Sequence, residues 1–425
     1  MKRLWLVFGM LLCSANWVNH AWAQSFGVEL HNTLMPASGA MGGVSIARPQ
    51  DLVSAINANP ATLSQFRGTQ FLFGGAWAEP TFNLYQNGSI PFGDPDPLLE
   101  SFSAKSTAPG SPGANVGITQ DLSELGLPAT IGVGFVTSAG GMVDFRHVPA
   151  SHGTASGLTV FNAPVGLGVD LTERWSVGAS AALGIALFNA PFVEVSSMTP
   201  GYALRGTLGT SYLLTDATTV GAYYQTKQSY TFDNAFIYLP GPAQVVSNVD
   251  MDLPQNVGLG VANNALLDGR LLVGVDVLYK LWNQADLYEP IYNNQWVMQF
   301  GTQYSAGDYR LRAGYVWAQD PLDNSPGSNI GGVVQPGAMA AVRYTQGLMA
   351  ITSQHRLSFG IGVVDVLPGI DLDMMAGGMF RDHAQLGEYT ATSIESYWLG
   401  GGLTWRFGRG ACEKLSAPDS WCSGS

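Results

Sequence analysis

Along most of the chain, hydrophobic and polar residues alternate with a period of two, the pattern of strands whose two faces meet different surroundings. From Leu271 to Trp282 the odd positions read Leu271, Val273, Val275, Val277, Tyr279 and Leu281, and the even ones Leu272, Gly274, Asp276, Leu278, Lys280 and Trp282. A helix would mix these sets on one face. The same separation recurs where Tyr309, Leu311, Ala313, Tyr315 and Trp317 oppose Arg310, Arg312 and Gly314. It recurs again where Leu357, Phe359, Ile361 and Val363 oppose Ser358, Gly360 and Gly362. In the last strand Tyr397, Leu399, Leu403, Trp405 and Phe407 oppose Ser396, Gly400, Gly402, Thr404 and Arg406.

One such strand fits a soluble sandwich as well as a membrane barrel; the number of strands separates the two. About fourteen segments recur, each near the ~9–11 residues that a tilted membrane strand needs. Their polar faces carry mostly Gly, Ser and Thr. Glycine facing water merely weakens a strand, whereas glycine lining a lumen lets a plug or ligand approach the wall. Trp175, Tyr315, Trp317, Tyr397 and Trp405 fall near strand ends, where interfacial girdles belong. Links alternate too: short ones at 170–173, 215–217, 267–269, 305–308 and 366–369, longer ones at 80–110, 139–156, 189–200, 233–254, 283–292, 319–353 and 382–395. Short periplasmic turns and longer external loops give that alternation. The expected fold is an all-β transmembrane antiparallel barrel over residues 67–407, with both ends in the periplasm.

The N-terminus sets the compartment. Lys2 and Arg3 precede the apolar run Leu4 to Leu12, and Ala21-Trp22-Ala23 offers a small-x-small cleavage site. Residues 1–23 read as a signal peptide. The run is about half the ~20 residues of a spanning helix, and Leu12 before Cys13 argues against a lipoprotein. Residues 24–66 lack the alternation. They contain Ser38-Gly39-Ala40-Met41-Gly42-Gly43, then Asp51 to Ile56, which suits a helical turn or two, then Asn59-Pro60-Ala61. This segment suits a plug within the lumen; a flexible periplasmic leader is the alternative. Residues 408–425 form a periplasmic tail in which Cys412 and Cys422 are either a local disulfide or two free thiols.

Composition narrows the classes further. The chain has 425 residues, 53 Gly, 11% aromatic and only 12% charged residues, against a soluble average of ~25% charged. No run after residue 23 reaches 18 uninterrupted apolar residues, so a helical membrane protein is excluded. Removing Lys2 and Arg3 takes the net charge from −12 to −14, which speaks against nucleic acid as a partner. No Cys/His spacing suggests a metal, and no cofactor is implied. Of 6 His, His20 lies in the signal, and no nucleophile elbow or Ser/His/Asp grouping stands out, so the chain is read as a non-enzyme. Arg310, Arg312, Arg356 and Arg406 fall on lumenal faces. A buried arginine there can take a substrate carboxylate in bidentate fashion; pairing with wall acids or the plug is the alternative.

The run Ser38-Gly39…Gly42-Gly43…Asp51…Asn59-Pro60-Ala61 resembles the N-terminal hatch of the FadL-type hydrophobic-compound transporters. Asp252-Leu253-Pro254 with Val257 to Val261, Val275-Asp276-Val277 with Trp282, Arg312 to Tyr315, His355 to Gly362 and Thr404 to Phe407 follow in the family's order. The resemblance spans almost the whole mature chain. It implies a fourteen-stranded barrel with a hatch over 24–66, in which Ser38, Gly39, Gly42, Asn59, Pro60 and Ala61 serve gating. It implies passive uptake of a hydrophobic small molecule and its sideways release into the bilayer at an inward kink of the third strand. That strand is expected at Ala129 to Gly140, with Gly132 and Gly134 as the positions where a kink costs least. Arg310, Arg312 and Arg356 are the candidates for a ligand carboxylate. Outer-membrane lipid and lipopolysaccharide would surround a monomer. A general diffusion porin and an outer-membrane lipid hydrolase are the rival readings. Three features depart from the family pattern: the short 189–200 link, Thr62 where Gly is usual, and the 18 residues after Phe407. The long 319–353 segment is a candidate lid.

Overall fold

A computed structural model describes residues 24–407 apart from 30, 89, 92–96, 191–197, 239–244, 328, 331–332, 335–338 and 350–353. The proposed signal peptide and the tail with Cys412 and Cys422 lie outside the described residues, as does most of the 189–200 link.

Fourteen strands form one antiparallel wall. They are β1 (Thr69–Gln86), β2 (Ser111–Asp121), β3 (Ala129–Asp144), β4 (Ala155–Asp170), β5 (Trp175–Asn189), β6 (Thr199–Thr215) and β7 (Thr218–Gln225), followed by β8 (Asn256–Leu266), β9 (Leu271–Lys280), β10 (Gln295–Ala306), β11 (Tyr309–Ala318), β12 (His355–Leu367), β13 (Ile370–Leu386) and β14 (Thr390–Phe407). Each pairs with the next. β14 returns to β1 from Thr69↔Phe407 to Gln86↔Thr390, which closes the barrel.

The alternation read from the sequence sorts the two faces. On β9, Leu272, Asp276, Leu278 and Lys280 are buried toward the interior. Outward, Phe73, Leu204, Leu259, Phe359 and Leu399 stand 58–74% exposed. In water each would forgo roughly 1.5–3 kcal/mol of burial; a lipid surround removes that cost, as for any outer-membrane barrel. Among the described residues no helix is long and apolar enough to cross a membrane.

Several link boundaries move. The 382–395 segment is no loop: β13 and β14 run on to Leu386 and from Thr390, joined by a tight turn in which Gly387 has φ 66°. Its polar residues reflect strand ends standing in water above the bilayer, not irregular chain. The 233–254 segment is largely a second hairpin, Gln228–Tyr238 against Val245–Leu253, which continues beyond β7 and β8. Within 319–353, helix α2 (Met339–Leu348) packs Tyr344 and Leu348 against Phe82, Phe102 and Phe145. The hairpin packs Tyr230, Phe232 and Met251 against Leu158, Phe188, Trp282, Tyr288 and Tyr292. Two apolar clusters therefore occupy the upper interior, on either side of the upper half of β3.

Candidate functional site

Residues 31–66 are packed into the lower interior, and local chemistry dictates their shape. Helix α1 (Leu52–Asn57) starts where Asp51 Oδ1 accepts Ser54 N at 2.8 Å, an N-cap, while Asp51 Oδ2 accepts Ser38 N at 2.8 Å. Leu52, Val53 and Ile56 turn to the wall and pack with Leu63, Leu72 and Val136. A 3₁₀ helix follows over Pro60–Gln65. Pro60 suits its first position, where no N–H is needed, and Asn59 Oδ1 accepts Ala61 N at 3.2 Å. Asn59 Nδ2 donates to Ile46 O at 2.7 Å and to Thr210 O of β6 at 3.0 Å. Asn59 thus caps a helix and ties the segment to the wall at once.

Close approach explains the glycines. Every strand except β13 carries a glycine at which a methyl group would collide with residues 36–63. At Gly178 it would strike Pro60 and Ala61, and at Gly314 it would strike Met41 and Gly42. Gly42 itself needs the left-handed region, with φ 72°. Its N–H donates to Ser358 Oγ of β12 at 3.0 Å, and Ser358 Oγ donates to Ala40 O at 3.2 Å. Gly39 leaves no room for a side chain beside Thr33 and Met375, and Ser38 Oγ accepts Gln50 N at 3.1 Å. On β9, buried Asp276 accepts both Ser45 N, at 2.6 Å, and Ile46 N, at 2.9 Å.

The wall loses a strand-to-strand seam beside β3. β2 pairs with β3 from Asp121↔Thr130 up to Asn115↔Val136 and no further. Above that level the register of β3 against β4 shifts between Thr137 and Ala139. That register shift falls at Ser138. Gly132 pairs with both neighbours, and a side chain there would collide with Ile56 and Leu63, so this glycine admits the lumenal segment. Gly134 pairs with Gly117 of β2, but the β3–β4 ladder skips it between Val133↔Val165 and Val136↔Asn162, opposite Pro164, which has no N–H to give. The edge of β3 that β2 leaves is taken by the N-terminal strand Gln24–Glu29, in the register Gln24↔Met142, Val28↔Gly140 and Glu29↔Ala139. At the top, Ser106 Oγ accepts Asp144 N at 2.8 Å and Thr107 N donates to Asp144 O at 2.9 Å.

From this strand the Glu29 side chain reaches the centre of the lumen. Arg205 Nη1 of β6 donates to Oε1 at 2.6 Å. Asn256 Nδ2 of β8 lies 3.2 and 3.1 Å from the two carboxylate oxygens. Lys280 Nζ of β9 donates to the Glu29 carbonyl at 3.2 Å and stands 3.8 Å from Oε2. His31 Nε2 is 3.3 Å from Oε2 without hydrogen-bond alignment. Burial, with Lys280 next to it, pushes the His31 imidazole down to about 4, against the pull of Glu29. The sequence offered one signal for this centre: between Gln24 and Gln50 only Glu29 and Arg48 carry a fixed charge.

The three candidate arginines separate. Arg312 is paired with Asp373 at 2.5 Å and Gln303 at 2.7 Å, and Arg310 with Asp371 at 3.8 Å. Arg356 is buried with its Nε unpartnered, and no acid forms an ion pair with it among the described residues. Arg406 pairs with Asp365 and Asp371. Among the described residues no group of acids, His or Cys is placed to hold a metal.

The class is thus a closed fourteen-stranded outer-membrane β-barrel whose lower interior is filled by its own N-terminal segment. No family model matches the chain, and no curated relative matches it. Solved structures do. A Pseudomonas aeruginosa FadL homologue aligns with TM-score 0.65 and 15% identity, over 90% of this chain and 100% of its own. The Pseudomonas putida toluene transporter TodX aligns with TM-score 0.62 and 19% identity, over 88% and 98%. The Ralstonia pickettii toluene transporter TbuX aligns with TM-score 0.58 and 16% identity, over 88% and 98%. At these identities the likeness is one of fold, and the fold is that of these channels.

Proposed function

We propose that this chain is a passive outer-membrane channel for hydrophobic small molecules, long-chain fatty acids or related hydrocarbons, with residues 24–66 as its hatch and sideways release beside β3. The observation that carries this reading is the upper half of β3. There β2 departs, the bilayer lies outside, and the clusters containing Ala139 and Val143 lie within. A dry route into the membrane suits such cargo, because each CH₂ exposed to water costs ~0.8 kcal/mol. The solved structures of like fold include two named as toluene transporters and one as a FadL homologue.

In this reading a ligand entering from outside displaces side chains of the upper clusters and shifts the hatch by its differential affinity for the two arrangements. Ser38, Gly39, Gly42, Asn59, Pro60 and Ala61 set the resting arrangement. Gly132 seats the hatch below the exit, and Gly134 lies beside the break in the β3–β4 pairing. For cargo with a carboxylate, Arg356 is the contact, because Arg310 and Arg312 already have acids.

The test is uptake of labelled toluene and labelled oleate by cells bearing the chain, beside liposome swelling with sugars. Faster uptake of one cargo, without sugar swelling, supports the reading. Sugar swelling with no gain in hydrophobic uptake would replace it with a porin.

A further inference from the structure

Glu29 belongs to two places. Its backbone is part of the wall, paired with Ala139 above the last β2–β3 pair. Its carboxylate lies across the lumen, 3% exposed, among groups from β6, β8 and β9. Strand pairing alone is a weak hold here, because a few residues lie along a single edge and two-stranded pairing is marginal. A buried carboxylate surrounded by a guanidinium, an ammonium and an amide is a strong one. Removing either party leaves an uncompensated charge in the interior.

We propose that Glu29 is a latch: its carboxylate, seated against Arg205, Lys280 and Asn256, holds the N-terminal strand in the gap between β2 and β3. The wall then has thirteen fixed seams and one removable stave, which is the chain's own N-terminal end. Glu29 is a positioning residue; it need not touch cargo. The latch rests on the release reading above for its purpose but not for its existence, and the two fail separately.

The experiment is hydrogen–deuterium exchange on the full-length mature chain in detergent, following peptides that cover 24–29, 38–56 and 139–142. Glu29→Gln keeps the shape and removes the charge. It is expected to speed exchange in 24–29 and 139–142 at least tenfold and leave 38–56 unchanged, with Glu29→Asp restoring part of the protection. Asn256→Ala, which keeps both cations, is expected to move the same peptides by a smaller factor and serves if Glu29→Gln fails to assemble. Unchanged exchange of 24–29 in the assembled variants overturns the latch. Uptake is measured on the same variants: faster exchange with unchanged uptake keeps the latch and removes the release route.

Discussion

Asn59 and Gly209 occupy one space: the amide oxygen of Asn59 lies where a side chain on Gly209 would begin. Thr210, the next residue of β6, accepts from the same amide. This part of the lumenal segment is therefore matched to a single bare position on the wall. Gly209→Ala is expected to push Asn59 off its partners and to cost about 1–3 kcal/mol, the usual range for overpacking. Unfolding of the purified barrel in urea measures it.

Asn59→Ala approaches the same contact from the other side. Ala61 N and Ile46 O lose a partner in a buried place, and Thr210 O loses one in a half-buried place. Each group left without a partner costs roughly 1–3 kcal/mol. Exchange of the amides in 59–65 should rise well above that of α1, which keeps its own cap at Asp51. Equal protection of the two helices in this variant would show that Asn59 is only a local turn former.

Asp276 holds two consecutive N–H groups of the lumenal segment and, among the described residues, forms no ion pair. Asp276→Ala is expected to free residues 45–46 from β9 and let sugars leak through the lower lumen. Liposome swelling should rise from baseline. If it stays at baseline, Asp276 does not seat the segment.

His31 gives the assembly a pH dependence with a definite sign. Packed, its imidazole is held near 4 by burial and by Lys280; released, it returns toward 6.5. The released state binds the proton first, so the packed state is fully stable above about 6.5 and loses about 1.4 kcal/mol per pH unit down to about 4. Glu29, Lys280 and Arg205 face the ring. Exchange of residues 31–35 should therefore quicken between pH 6.5 and 4, and His31→Asn should flatten the profile.

The wall was legible because alternation is a local property of a strand: the faces of β9, β11, β12 and β14 follow directly from it. Lumenal glycine also pointed to a plug, since glycine on a strand face gains only from close approach, as at Gly178 and Gly314. The loop ends were less legible, because a strand that rises out of the bilayer into water turns polar, as in 382–395. The register shift of β3 at Ser138 was not legible, because no glycine or proline marks that position, and glycine, as at Gly132, marks close contacts as well as bends. The strand Gln24–Glu29 carries no alternation long enough to read, and its partner residues Arg205, Asn256 and Lys280 come from three distant strands. Only the lone acid at position 29 hinted at it.

The central claim is that cargo leaves through the place the N-terminal strand fills. Val28 and Gly140 are register partners across it, so a Val28→Cys, Gly140→Cys pair can fasten the strand to β3. Uptake of the labelled hydrophobic cargo is then measured in the same cells, oxidised and reduced. The account predicts that oxidation abolishes uptake and reduction restores it; equal uptake in the fully cross-linked and reduced states would contradict it.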